Sequence, residues 1–321
     1  MRNSIIKELK GNDHVSGEQM AKKLNISRTA VWKHINELRK MGYEIDSHPR
    51  YGYALIKSTD LLVPEEVSFA LDTDTMGRHV LHLREVASTQ DIADKLAREG
   101  AEEGTCVIAE KQTSGRGRKG RNWASPFKDG IYISIILRPN LKPLHIIQIP
   151  LVASVALVRA ISKTTGIVSG IKWPNDILIQ GRKVAGILTE VNCDIDTVHY
   201  IVLGIGINVN TRRNALPGEV KAIATSLSRE CGHTVSRIDF LSQLLPELEN
   251  VYNDFLENGF APIGRQWMAY NNTIGSNIKV NDGRAEVEGK ALRIDDDGFL
   301  IIRTADGQTR RIISADVSLN N

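Results

Sequence analysis

Glu110-Lys-Gln-Thr-Ser-Gly115-Arg-Gly-Arg-Lys-Gly-Arg-Asn-Trp123 sets three glycines and four cations between Gly115 and Arg121. The segment leaves one strand-like run, 105–110, and leads to another, 131–137. Glycines let backbone amides approach a ligand closely, and the cations can neutralise a polyphosphate or a developing phosphoryl charge. The Gly-x-x-x-x-Gly-Lys-Ser/Thr spacing of a P-loop is absent, and no helix pattern follows directly, which excludes a Rossmann fingerprint. Taken alone, the loop also fits an Arg/Gly nucleic-acid contact. Trp123 and the strand after it anchor the loop, so it is expected to move and to close over a bound anion.

Outward from this loop, strand-like runs at 80–86, 105–110, 131–137, 183–191 and 198–209 alternate with amphipathic stretches at 89–99, 144–165 and 237–257. That alternation predicts a mixed α/β sheet domain. Ile131, Ile133 and Ile135 alternate with Tyr132, Ser134 and Ile136, a pattern expected of core rather than of a site.

A second constellation, Lys172-Trp-Pro-Asn-Asp176, is followed after Gln-Gly-Arg by Lys183-Val-Ala-Gly186. Trp-Pro forces an extended backbone at Trp173. Asn175 and Asp176 supply an amide and a carboxylate suited to a nucleotide and its Mg2+. The Gly181-Arg182 turn is expected to bring Lys183 back beside them, where an ammonium can grip a carboxylate and an α-phosphate.

The first residues read as a separate module. Residues 1–60 hold 11 Lys/Arg against 7 Asp/Glu, while the remainder of the chain is balanced. A helix over 3–10 ends at Gly11. Ser16-Gly-Glu-Gln19 is a capping-box pattern opening a helix through Leu24, and Asn25-Ile26 makes a turn. Ser27 then caps a longer helix with an apolar stripe of Val31, Ile35 and Leu38, stopped by Gly42. Opposite the stripe lie Arg28, Thr29, Lys33 and Asn36, with Trp32 and His34 at its edges: donors and cations suited to phosphates and base edges. Residues 43–56 continue as a hairpin with Arg50 near its tip, giving a winged helix-turn-helix that needs a dimer to read two half-sites.

Residues 272–319 hold short β-like runs, Ile278-Lys-Val-Asn, Ala285-Glu-Val-Glu-Gly, Gly298-Phe-Leu-Ile-Ile and Arg310-Arg-Ile-Ile, separated by Asp-Gly and Asp-Asp-Gly turns. The fold class expected is therefore α+β: a winged helix-turn-helix (1–60), a central mixed α/β sheet domain (61–270) and a C-terminal SH3-like β-barrel (271–321).

Composition agrees with a globular chain of 321 residues, 41% hydrophobic and 25% charged, with a net charge of +3. No apolar run is expected to span a bilayer and no signal peptide is evident, which points to a soluble cytoplasmic protein without a membrane partner. Cys106, Cys193 and Cys231 are far apart and odd in number, so neither a disulfide framework nor a CxxC metal site is expected; they read as buried small hydrophobes.

Together, Gly115-Arg-Gly-Arg-Lys-Gly-Arg, Lys172-Trp-Pro-Asn-Asp176, Lys183-Val-Ala-Gly186 and Gly204-Ile-Gly-Ile-Asn208 resemble the signature set of the biotin protein ligases. With the winged helix in front, the resemblance is to the bifunctional ligase–repressors, and it covers essentially the whole chain. It implies that Ser88-Thr89-Gln90, Gln in place of the family's Asn, recognises the biotin ureido ring, with Ser88 doubling as a helix cap. It implies that Gln112 and the Gly115-Arg116-Gly117-Arg118 backbone complete the biotin pocket near Gly186. Arg116 and Arg118 would screen phosphate charge, and Lys183 would bind the biotin carboxylate and stabilise the charge of its attack on ATP. Lys172, Asn175 and Asn208 would lie on the adenylate side, with Trp123 a wall for the adenine and Asp176 a carboxylate for Mg2+.

The substrates implied are biotin and ATP with Mg2+, with no tightly bound cofactor. The partners implied are a biotin carboxyl carrier protein, operator DNA and a second copy of the chain, pairing when biotinyl-5′-adenylate is bound. A biotin-sensing repressor without ligase activity, and a ligase whose first domain does not bind DNA, are the alternative readings.

Overall fold

Helical spacing and caps produce the three N-terminal helices expected: α1 (Arg2–Lys10), α2 (Gly17–Leu24) and α3 (Arg28–Lys40). The computed structural model describes residues 1–281, 286–313 and 316–319. Both sides of the capping box form, since the Gln19 amide donates to Ser16 Oγ and the Ser16 amide to Gln19 Oε1, and Ser27 Oγ accepts from the Ala30 amide. Ile5, Leu9, Met20, Val31, Ile35 and Leu38 close one small core. The wing is β1 (Glu44–His48) paired antiparallel with β2 (Gly52–Lys57). Arg39 on α3 donates to the Ile45 carbonyl at 2.7 and 3.0 Å and thereby fixes the wing to the helix.

The chain divides into two units, Met1–Leu71 and Asp72–Asn321. The first extends past residue 60 because α4 (Pro64–Ala70) belongs to it. Glu65 and Glu66, on the first turn of α4, pair with Arg2 at 2.9 Å and Lys10 at 2.8 Å on α1.

The second unit is built on a seven-stranded mixed sheet. In chain order its elements are β3 (Val80–Leu83), α5 (Thr89–Arg98), β4 (Cys106–Ala109), β5 (Ile131–Leu137), α6 (Gln148–Thr165), β6 (Gly170–Lys172), β7 (Asp176–Ile179), β8 (Arg182–Cys193) and β9 (Val198–Ile207). After them come α7 (Leu227–Cys231), α8 (Arg237–Asn258) and α9 (Phe260–Tyr270). The strand order is β3-β4-β5-β9-β8-β7-β6, parallel only between β3 and β4. Strand β5 is buried along its whole length between β4 and β9.

The stretch Pro143–Thr165 corrects the expectation that no run reaches spanning length, since it is long and apolar enough to cross a membrane. Within it, α6 is buried over most of its length, where it packs on α8 and α9, while Leu144 ahead of it is exposed. The cysteine expectation is corrected as well: Cys106 is buried, Cys231 is partly buried and Cys193 is exposed where β8 ends.

A second, five-stranded antiparallel sheet completes this unit: β10 (Asn277–Asn281), β11 (Glu286–Ile294), β12 (Leu300–Thr304), β13 (Thr309–Ile312) and β14 (Asp316–Leu319), in the order β13-β12-β11-β10-β14. Ala285 and the Asp282-Gly283 turn expected from the sequence lie outside the described residues. This sheet is tied to the first one through Trp173, whose amide donates to Thr273 Oγ1 at 2.9 Å and whose indole donates to the Gly298 carbonyl at 3.1 Å.

Candidate active site

Ser88 ends the approach to α5 in extended geometry, and its Oγ accepts from the Gln90 amide at 3.3 Å, so it is a helix cap as expected. This cap aims the first turn of α5 at the middle of the sheet. Ser134, from β5, donates to Thr89 Oγ1 at 2.8 Å, and Thr89 in turn donates to Gln112 Oε1 from both its hydroxyl (3.1 Å) and its amide (2.8 Å). The Gln112 amide then donates to Ser125 Oγ at 2.9 Å. Gln90 lies buried over Gly204, with its amide nitrogen 3.4 Å from the Val202 carbonyl and its Oε1 without a hydrogen-bond partner. A buried acceptor of this kind is costly unless a ligand donor reaches it.

The glycine-rich segment folds as a narrow hairpin. Its stem is closed by the Trp123 amide on the Gly115 carbonyl (2.8 Å) and the Gly117 amide on the Arg121 carbonyl (2.7 Å), around a turn with Lys119 at φ 54°. Gly115 is required by crowding, because a Cβ there would lie 2.5 Å from the Trp123 carbonyl oxygen. The hairpin's cations are anchored. Arg118 donates to Asn175 Oδ1 at 3.2 Å, Lys119 Nζ donates to the Asn281 carbonyl at 2.9 Å, and Arg116 pairs with Asp91 and Glu190. Partial burial works against the Arg116 charge, but the hydrogen bonds to Asp91 and Glu190 outweigh it and raise its pKa further.

The turn after Lys172-Trp-Pro-Asn-Asp176 does bring Lys183 back. Strands β7 and β8 pair antiparallel, placing Lys183 Nζ 2.6 Å from Asp176 Oδ1 and 5.3 Å from the centre of the Trp123 ring. Trp123 lies against Gly206, where a Cβ would stand 2.5 Å from the indole. The Asn175 amide donates to the Ile187 carbonyl at 2.8 Å, holding the start of β7 against β8.

These groups surround one pocket of about 570 Å³, within the range common for small-molecule sites. Its walls include Ser88, Thr89, Gln90, Gln112, Arg116, Gly117, Arg118, Trp123, Lys172, Asn175, Asp176, Lys183 and Gly186. Gly115 supports the hairpin behind that wall. Asn208 does not line it: it is buried, its amide donates to the Thr225 carbonyl at 3.1 Å, and it fastens the segment before α7.

Strand β5 corrects the reading of its residues as core alone, because Tyr132, Ile133 and Ser134 reach the pocket. The strand's single serine, Ser134, was the available signal. Burial raises the pKa of the Tyr132 phenol, which stays a neutral donor to the Pro126 carbonyl at 3.0 Å. Arg121, Asn122, Gly204, Gly206, Val220 and Ile223 also line the pocket and were not singled out for it.

In the first unit, Arg28, Thr29, Lys33 and Arg50 are exposed, and Asn36 is half-buried with its carbonyl 3.4 Å from an Arg39 nitrogen. Arg28, Thr29 and Arg50 share one groove with Trp32, which is 58% exposed, and with His48, stacked on Tyr51 at 4.7 Å.

Sequence models match in three places: the HTH domain over 2–54, the biotin/lipoate A/B protein ligase family over 83–208 and the biotin protein ligase C terminal domain over 273–320. The chain is 44% identical to the bifunctional ligase/repressor BirA of Bacillus subtilis (strain 168), over 99% of this chain and 100% of that one. It is 32% identical to the protein of the same name from Escherichia coli (strain K12), over 99% of this chain and 96% of the other. Among solved structures, the biotin protein ligase from Aquifex aeolicus in complex with biotin and ATP superposes with a TM-score of 0.65 at 32% identity, covering 76% of this chain and 99% of that one.

Proposed function

The chain belongs to the bifunctional biotin ligase/repressors, and from that membership together with its pocket we infer that it activates biotin with ATP and transfers it to a lysine of a carrier protein. The observation that carries this reading is the meeting of two different polar sets in one pocket. One is the Ser134–Thr89–Gln112 chain with the orphaned Gln90 oxygen, suited to a ureido ring; the other comprises Lys183, Lys172 and Arg118, suited to carboxylate and phosphates. The reading keeps three working modules: the winged helix, the catalytic sheet domain and the C-terminal sheet.

In the first step a biotin carboxylate oxygen attacks the α-phosphorus of ATP, forming biotinyl-5′-adenylate as pyrophosphate leaves. In the second, the acceptor lysine amine attacks the adenylate carbonyl and AMP leaves. Lys183 exchanges its pairing with Asp176 for the biotin carboxylate and stabilises the charge that develops at phosphorus. Arg118, held by Asn175, and Lys172 face the phosphates, and the Trp123 ring forms the wall beside the adenine. Closure by the hairpin excludes water from the anhydride. Mg2+ fits this donor set, because it keeps phosphate and water ligands and takes only one or two carboxylates; Asp176 would be its protein ligand, and the ion would neutralise phosphate charge. Asn208 supports this region from behind rather than touching the nucleotide. The reading takes the protein to act in the cytoplasm, with a biotin carboxyl carrier domain as acceptor. Transfer of biotin to such a domain by the purified chain, read by intact mass, is the test.

The groove of Arg28, Thr29, Trp32 and Arg50 is proposed as the operator-reading face, with Lys33 and Asn36 on the same helix. Phosphate contacts make such binding salt-dependent, with a slope close to one unit per contact. Lys33→Ala is expected to reduce the slope of log affinity against log salt by about 1 on a duplex of mixed sequence. Fluorescence anisotropy over a salt series measures this, and an unchanged slope removes Lys33 from the contacts.

A single winged helix reads one half-site, so repression needs two copies. Biotinyl-5′-adenylate is expected to shift the chain toward dimer in analytical ultracentrifugation. Equal sedimentation with and without the adenylate would sink ligand-linked pairing.

A further inference from the structure

Arg116 joins three elements with one side chain. It leaves the hairpin stem between Gly115 and Gly117, and its guanidinium ends on carboxylates from two other elements. Nη2 lies 3.0 and 3.2 Å from the two oxygens of Glu190 on β8, and Nη1 bonds Asp91 in the first turn of α5. The first turn of α5 also carries Thr89 and Gln90, and β8 also carries Lys183 and Gly186. The planar guanidinium sets one terminal nitrogen on each carboxylate, an arrangement that an ammonium does not reproduce. Two carboxylates on one cation leave an excess of negative charge, a poor arrangement for drawing in a polyphosphate.

We propose that Asp91, Arg116 and Glu190 form a latch holding the hairpin stem over the pocket, so that Asp91 and Glu190 are positioning residues that set how long the adenylate is retained. The proposal rests on the ligase reading above and refines it: Arg116 acts through the hairpin, and the phosphates are left to Arg118, Lys172 and Lys183. The side chains of Arg116, Asp91 and Glu190 are 36%, 54% and 39% exposed, so each pairing is partly screened and its loss changes an opening equilibrium modestly.

The test uses the full chain, loaded with biotinyl-5′-adenylate made in place from biotin and MgATP. Release of the adenylate is followed by its capture with hydroxylamine, for wild type, Glu190→Gln, Asp91→Asn and the conservative Glu190→Asp. Each charge-removing variant is expected to release adenylate about 5-fold faster, and Glu190→Asp to recover most of the difference. Half-saturation for biotin rises while the limiting rate of transfer to the carrier domain holds, a split that general loosening of the fold would not produce. Added salt is expected to speed wild-type release and to change Glu190→Gln release much less. Equal release from all four proteins, or the same salt response in all, overturns the latch. A wild-type protein that forms no adenylate refutes the ligase reading and the latch with it, and is told apart by the absence of any loaded species.

Discussion

Lys183→Ala is expected to slow the appearance of biotin on a carrier domain by about 100- to 1,000-fold, the cost typical of removing one group that stabilises developing charge. Lys183 reaches the pocket from the second residue of β8 and stands 2.6 Å from Asp176 and 5.3 Å from the Trp123 ring centre. Its ammonium is therefore already held inside the pocket, where the proposed reaction brings a carboxylate and an α-phosphate together. A preorganised cation in a partly enclosed site costs no reorganisation when the charge develops, whereas water would have to reorient. Intact-mass measurement of the carrier domain, with wild type alongside, reads the effect. Wild-type transfer with full activity in the variant would remove Lys183 from the chemistry. Biotin binding without transfer by the wild type would favour a biotin-sensing repressor.

Arg237→Met is expected to destabilise the second unit by about 3–5 kcal/mol, and to lower its thermal midpoint by about 10 °C. Arg237 opens α8 and donates to Glu110 Oε2 at 2.8 Å and to the Gly130 carbonyl at 3.1 Å. Both side chains of the ion pair are 0% exposed, and His82 Nε2 lies 3.0 Å from the other Glu110 oxygen. Removing one partner leaves the other charge buried at the end of β4, where desolvation is not repaid. The double variant Glu110→Gln/Arg237→Met is expected to recover part of the loss, since neither charge then remains. Scanning calorimetry of the single and double variants checks this; equal destabilisation by the double and the sum of the singles would refute the coupling.

The sequence by itself determined what depends on neighbours along the chain. The Ser16 capping box, the Ser27 and Ser88 caps, the wing hairpin and the apolar run of β5 were all legible, because caps and periodicity act within a few residues. The glycines of 115–121 were legible as a tight turn for the same reason. Only the tertiary structure decided which groups meet. Glu190 is 74 residues from Arg116, and Glu110 is 127 from Arg237. The strand order β3-β4-β5-β9-β8-β7-β6 turns Ser134 from a core residue into a pocket donor and draws Asn208 behind the wall. The same packing buries most of α6, part of a stretch whose composition alone would suit a bilayer. Pairings of that range depend on how the sheet closes and which helix covers it, and no local propensity encodes either.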